Sequence, residues 1–144
     1  MEKQSVIVEH TYNAPAHLVW KAITDPEQLK QWWLDVPGFK AEAGCKFNFR
    51  GGAEQHLHLC EVVEVVEEKK ISYSWRFAEF PGDSLVTWEL FPEGDKTKVV
   101  LTHSGIETFR GDLHPEMKKE NFMGWSHVLD KMLQDFVAQT NTGN

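Results

Sequence analysis

The chain predicts an α+β fold: an antiparallel, twisted sheet of about six strands wrapped around one long C-terminal helix, with two short helices after the first strand. Three observations carry this. After residue 44 a series of runs alternates apolar with polar residues, joined by short segments rich in Gly, Pro, Asp and Glu; consecutive strands with tight joints pair antiparallel. The stretch from about Asn121 to Gln139 repeats apolar residues at three- and four-residue steps, the period of a helix with one buried face. Strands and helices are segregated along the chain instead of alternating.

Taken in order, residues 5–12 alternate loosely and read as the first strand. Asn13 is placed to cap a helix with Pro15 in its first turn, and Leu18, Val19, Ala22 and Ile23 recur at helical spacing. Thr24 or Asp25 before Pro26 restarts a second helix that runs through Leu29, Trp32 and Trp33 and stops at Pro37-Gly38. Strands follow at 45–50, 55–66, 71–77, 85–91 and 97–103. "ISYSWRF" sets Ile71, Tyr73, Trp75 and Phe77 on one face; Val86, Trp88 and Leu90 do the same in the next strand. Val62-Val63 and Val65-Val66 make both faces of the long strand partly apolar, one for the interior and one for the short helices. Gly51-Gly52, Glu67 to Lys70, Pro81-Gly82-Asp83 and Pro92 to Asp95 supply the turns. Residues 104–120 form a longer polar loop, a length often tied to function. On the closing helix, Phe122, Trp125, Leu129, Met132 and Phe136 form a stripe, widened by Val128, Leu133 and Val137.

At 144 residues the chain reads as a single domain, 1–144, with a polar tail, Thr140 to Asn144, expected to fray. A net charge of −7 without a basic run argues against nucleic acid and against anionic membrane surfaces. The N-terminal stretch lacks a signal-type apolar core, and no apolar run is long enough to insert in a bilayer. Two cysteines, Cys45 and Cys60, are too few for a disulfide scaffold, so the expected location is cytoplasmic. Monomer and homodimer both remain open.

Several groups carry candidate chemistry. His56, His58 and Cys60 share one strand face at two-residue steps, but the spacing matches no zinc signature, so no metal or other cofactor is expected. His103-Ser104 lacks a nucleophile-elbow pattern, and His103 reads as a polar anchor rather than a catalytic group. Cys45 and Cys60 read as inert thiols, and Glu61, Glu64, Glu67 and Glu68 as a solvated face.

The informative set is aromatic. Six tryptophans and nine phenylalanines exceed what a small core needs, so some are expected to line a cleft between sheet and terminal helix. Candidate ligand-binding residues are Trp32, Trp33, Phe47, Phe49, Tyr73, Trp75, Phe77, Trp88, His103, Phe109, Phe122, Trp125, Leu129 and Met132. Phe80, Ile106 and Phe109 are candidates for a rim, and Tyr73, His103 and Arg76 or Arg110 for polar anchors. On a helix Trp32 and Trp33 stand about 100 degrees apart. One ring is then expected in the gap between the short helices and the sheet, and the other near a cavity mouth.

The segments "YNAPAHLVWKAITDPEQLKQWW", "GFKAEAGCKFNF", "VVEVVEEKKISYSWRF", "TKVVLTHSG" and "GWSHVLDKML" together resemble the START-like (SRPBCC, helix-grip) superfamily. Within it they are most similar to the AHSA1-like group, named after the C-terminal domain of the Hsp90 ATPase activator. The resemblance covers about residues 5–139 and implies the helix-grip fold. That superfamily holds lipid carriers, polyketide cyclases and plant hormone receptors. A binding protein for an apolar, aromatic or lipid-like small molecule is the first expectation. A cyclase- or hydrolase-type enzyme using the same cavity is the second. An Hsp90-linked co-chaperone or stress-response adaptor, implied by the resemblance alone, is the third.

Overall fold

The computed structural model describes residues 5–33, 35–36, 38–51, 56–111, 122 and 124–140. Strand β1 (Ser5–Tyr12) is followed by helices α1 (Ala16–Thr24) and α2 (Pro26–Trp32). Then come β2 (Lys46–Gly51), β3 (His56–Val66), β4 (Lys70–Phe77), β5 (Ser84–Glu93) and β6 (Lys96–Ser104). A single 3₁₀ turn (Ile106–Phe109) precedes the terminal helix α3, which has three consecutive parts. Trp125–His127 and Gln134–Thr140 are α-helical, and Val128–Leu133 between them is π-helical. The six strands form one antiparallel sheet in the order β1-β6-β5-β4-β3-β2, so the first strand returns to pair with the last.

Alternation decides which side chains go inward. Val86, Trp88 and Leu90 of β5, and Val99, Leu101 and His103 of β6, are buried, while their neighbours are only partly covered. Tyr73, Trp75 and Phe77 continue the same face on β4. Their partners in register are Val62, Cys60 and His58 on β3. A register shift between Val62 and Glu64 leaves Val63 exposed, and Val66 is exposed too. The outward valines therefore meet solvent, not the short helices: the bulge leaves Val63 unpaired and Val66 points out opposite Lys70, while Val65, in register with buried Ile71, packs against the core.

Helix α2 starts as its sequence indicates. Asp25 Oδ1 accepts from the Glu27 N–H at 3.0 Å, and Pro26 occupies the first turn. Helix α1 begins later than expected. Pro15, with extended backbone, holds the cap position, so Asn13 lies too early to cap it. The stripe on α3 also differs. Trp125, Leu129, Leu133 and Val137 are buried at four-residue steps, with Phe136 beside them, whereas Met132 is only half-buried. The π turn widens the helix and moves Leu133 into the place an α-helix would give Met132. The Tyr12 hydroxyl donates to the Leu129 carbonyl within that turn at 2.8 Å. His10 reaches Asp130 at 3.1 Å and Gln134 at 2.9 Å, so β1 grips the helix where its hydrogen-bond pattern changes.

One end of the sheet is closed by glycine-dependent packing. A Cβ on Gly82 would lie 2.6 Å from both the Thr108 carbonyl oxygen and the Phe109 ring. Its φ of 122° also lies where glycine alone is at ease. Thr108 Oγ1 accepts from the Asp83 N–H at 2.9 Å, and the contact fixes the 3₁₀ turn against the start of β5. What the sequence predicts for Pro37, for Gly52 and residue 55, for residues 112–121, including the helix start at Asn121, and for the tail 141–144 lies outside the described residues.

Candidate functional site

Helix α2 ends between the two adjacent tryptophans. Trp32 closes the helix and Trp33 leaves it, with φ −141° and ψ −78°. The pair therefore does not fan out at helical spacing. Their rings stack, with centroids 5.4 Å apart and planes 21° apart, and both face the interior. Trp32 donates its Nε1–H to the Ala22 carbonyl at 2.8 Å and stacks with Phe136 of α3. It fills the gap between the two short helices and the terminal helix. Trp33 reaches the sheet: it stacks with Trp75 and meets Trp88 and Trp125 edge-on.

The rings continue across the inner face of β4, β3 and β2. Phe47 meets Tyr73 edge-on at 5.2 Å, and Phe49 lies flat on His58 at 4.5 Å. Tyr73 accepts the Trp88 Nε1–H at 2.7 Å, and burial drives its own phenol pKa upward, so it stays protonated. His58 donates from Nδ1 to the His56 carbonyl, and burial among rings lowers its pKa despite that bond. The same burial pushes the pKa of the Cys60 side chain beside it up, so it remains a thiol. His56 bonds to the Glu79 carboxylate at 2.6 Å. Among the described residues, no group of three or more His, Cys, Asp or Glu stands ready to hold a metal.

At the other end, His103 is 0% exposed. The Trp125 Nε1–H donates to its Nδ1 at 3.0 Å. That forces the single ring proton onto Nε2, which donates to Ser84 Oγ at 2.8 Å; the serine proton then goes to the Trp75 carbonyl at 2.6 Å. Burial, with a smaller contribution from His58, pushes the His103 pKa down to about 3. This is a neutral imidazole with both nitrogens committed, and it fastens α3 to the sheet. Phe122 packs edge-on over it at 5.1 Å and stacks on Phe109.

The candidate set thus comes together on one side of the sheet, with three differences from the sequence reading. Ile106 and Phe109 are core residues, leaving Phe80 half-buried at the surface, because the 3₁₀ turn folds inward against Gly82. Arg76 is exposed between inward Trp75 and Phe77, so alternation removes it from the interior; Arg110 is exposed as well. Ser84 was not among the candidates, although its parity with Val86 and Trp88 already places it inward.

Similarity to known proteins follows the same architecture. The chain is similar to MLL2253 of Mesorhizobium loti, with 27% identity, a TM-score of 0.79, and 96% of this chain and 99% of that one covered. It is similar to CalU16 of Micromonospora echinospora, with 27% identity, a TM-score of 0.73, and 96% and 79% covered. CV1439 of Chromobacterium violaceum is 25% identical, with a TM-score of 0.74 and 92% and 96% covered. None of the curated proteins matches the chain. Residues 13–137, which carry both short helices, the sheet from β2 to β6 and nearly all of α3, match one family. The chain belongs to the family described as activator of Hsp90 ATPase homolog 1-like protein.

Proposed function

We propose that the protein binds one apolar small molecule, aromatic or lipid-like, between the inner face of the sheet and α3. The observation that carries the reading is where the aromatic excess goes: rings from α2, β2, β4, β5 and α3 converge on one surface. Trp33, Phe49 and Met132, half-buried where that surface reaches the outside, are the residues a guest would meet first. Trp32, Phe47, Phe77, Phe122 and Leu129 form its deeper wall. Such a surface suits a ligand held by burial, at roughly 25 cal/mol per Å² before ordering costs.

His103 is a poor general base. Its Nδ1 lone pair is taken by Trp125, and a pKa of about 3 leaves it little affinity for a proton. The reading is therefore binding, with no turnover assigned to His103. The free thiols of Cys45 and Cys60 fit a reducing cytoplasm. Among the described residues, no helix is long and apolar enough to cross a membrane.

Native mass spectrometry of protein purified from its own host, joined to tryptophan-fluorescence titration with apolar probes, tests the proposal. A bound apolar mass, or saturable one-to-one binding of a probe, is expected. Failure of both would overturn it. The family match over residues 13–137 favours one second reading, contact with an Hsp90-type chaperone. A pull-down with Hsp90 and an ATPase assay check it; no capture and no change in ATPase rate would remove it.

A further inference from the structure

The contacts of Trp33 differ in kind from those of Trp32, Trp88 and Trp125 around it, and it is more exposed than Trp75. Its ring lies nearly parallel to Trp32 of α2, at 5.4 Å and 21°, and to Trp75 of the sheet, at 6.5 Å and 11°. Trp88 and Trp125 present edges to it, at 5.8 and 5.5 Å and at 64° and 66°. Four indoles thus frame a fifth: two offer faces and two offer edges. Trp32, Trp88 and Trp125 are also anchored by their N–H groups, to the Ala22 carbonyl, the Tyr73 hydroxyl and His103. Trp33 is held through its ring faces and edges, is only half-buried, and sits on the first residue beyond the helix.

We infer that Trp33 is a resident stand-in for the ligand: the slot its indole fills is the binding site, and the guest is a flat, uncharged, fused-ring aromatic that enters by displacing it. The inference rests on the proposed binding function and narrows its substrate class. Parallel ring faces with ring edges set across them reward a flat π-system. A linear alkyl chain would gain burial there but none of the stacking. A charged guest would lose its hydration among rings with no counter-charge. Rotation of Trp33 about its side-chain bonds opens the slot without breaking a hydrogen bond of its three anchored neighbours. Trp32, Trp88 and Trp125 would each have to break one.

The arrangement also sets an affinity relation. While Trp33 occupies the slot, only the fraction of molecules with it swung out is competent, so apparent binding is weakened by that fraction. Removing the ring should strengthen binding of a flat guest, about tenfold or more if the open form is a minor state.

The experiment uses the full chain and two probes of equal carbon number, 2-naphthol and 1-decanol, with 5-fluorotryptophan incorporated and the Trp33 fluorine signal assigned through Trp33→Phe. The expected result is saturable binding of 2-naphthol to wild type, movement of the Trp33 signal to a solvent-exposed position, and 1-decanol weaker by about tenfold. Trp33→Ala, checked for a wild-type melting profile, should bind 2-naphthol more tightly than wild type. Should that variant unfold, Trp33→Leu serves in its place. Naphthol binding with the Trp33 signal unmoved, or decanol binding as tightly, would overturn this inference while leaving apolar binding intact. Binding to the variant but never to wild type would likewise overturn displacement. If neither probe binds either protein, the inference fails together with the support these probes could lend the broader function.

Discussion

At the His103 end of the aromatic cluster, polar side-chain atoms form a directed chain: Trp125 N–H to His103, His103 to Ser84, Ser84 to the Trp75 carbonyl. At the Trp33 end, the same types of ring meet by faces and edges, and the outermost residues are half-buried. Burial is similar in chemistry at both ends, but reversibility is not. A buried hydrogen-bonded chain is all-or-none, because removing one member leaves others unsatisfied in an apolar interior. Stacked rings exchange one apolar neighbour for another at small cost. The molecule therefore combines a hydrogen-bonded anchor between sheet and terminal helix with a stacked aromatic surface beside it, and the proposed binding requires the second to exchange neighbours.

Acid should break the fixed end first, and this is the largest expected effect. Folded His103 stays neutral down to about pH 3, whereas the imidazole of the unfolded chain takes up a proton near 6.5. Between those values the unfolded state binds the extra proton, so stability is full above about 6.5 and falls as pH drops towards 3. One such group removes about 1.4 kcal/mol per pH unit, up to about 4–5 kcal/mol across the window. His58, also lowered by burial, acts in the same direction. Urea unfolding between about pH 7 and about pH 4 measures the slope. His103→Gln, which cannot titrate, should show a shallower one. Equal slopes would mean that His103 is not the source of the acid sensitivity and that acid does not act through the hydrogen-bonded end.

A smaller effect comes from removing one donor while keeping the ring. Trp125→Phe preserves an aromatic against Trp75 and Trp88 but strands the buried His103 Nδ1, at a cost of about 2–3 kcal/mol from the unsatisfied acceptor and the lost ring volume. The midpoint and slope of a urea titration report it, and a cost under about 1 kcal/mol would show that the bond contributes little.

How much of this contrast could be read from the chain depends on the range of the causes. Local signals were enough for β4 and β5, whose alternation put Tyr73, Trp75, Phe77 and Trp88 on one face, and for α2, whose Asp25-Pro26 start is written in neighbouring residues. The family-level resemblance reached the whole fold for the same reason. The end of α2 was not legible. No glycine or proline separates Trp32 from Trp33, and the exit there is set by rings on β4, β5 and α3. Nor was the π turn, which is gripped by a hydroxyl 117 residues away. The sequence predicts His103 as a polar anchor, but its partners, Ser84 and Trp125, lie 19 and 22 positions off, and only the pairing of β4, β5 and β6 with α3 brings them together.

The same substitution at the other end gives the smallest effect and the sharpest form of the comparison. Trp33→Phe keeps a flat ring between Trp32 and Trp75 and leaves the anchored N–H groups of Trp32, Trp88 and Trp125 with their partners. What is lost is part of a half-buried ring surface, so a destabilisation of about 1 kcal/mol or less is expected. Matched urea titrations of Trp33→Phe and Trp125→Phe give the difference directly, free of any assumption about the unfolded chain that the two variants share. If Trp33→Phe proved the costlier of the two, the face-and-edge contacts would be holding the structure and the hydrogen-bonded chain would be the dispensable part. The Trp33 slot would then lose its claim to be the place where the interior can open.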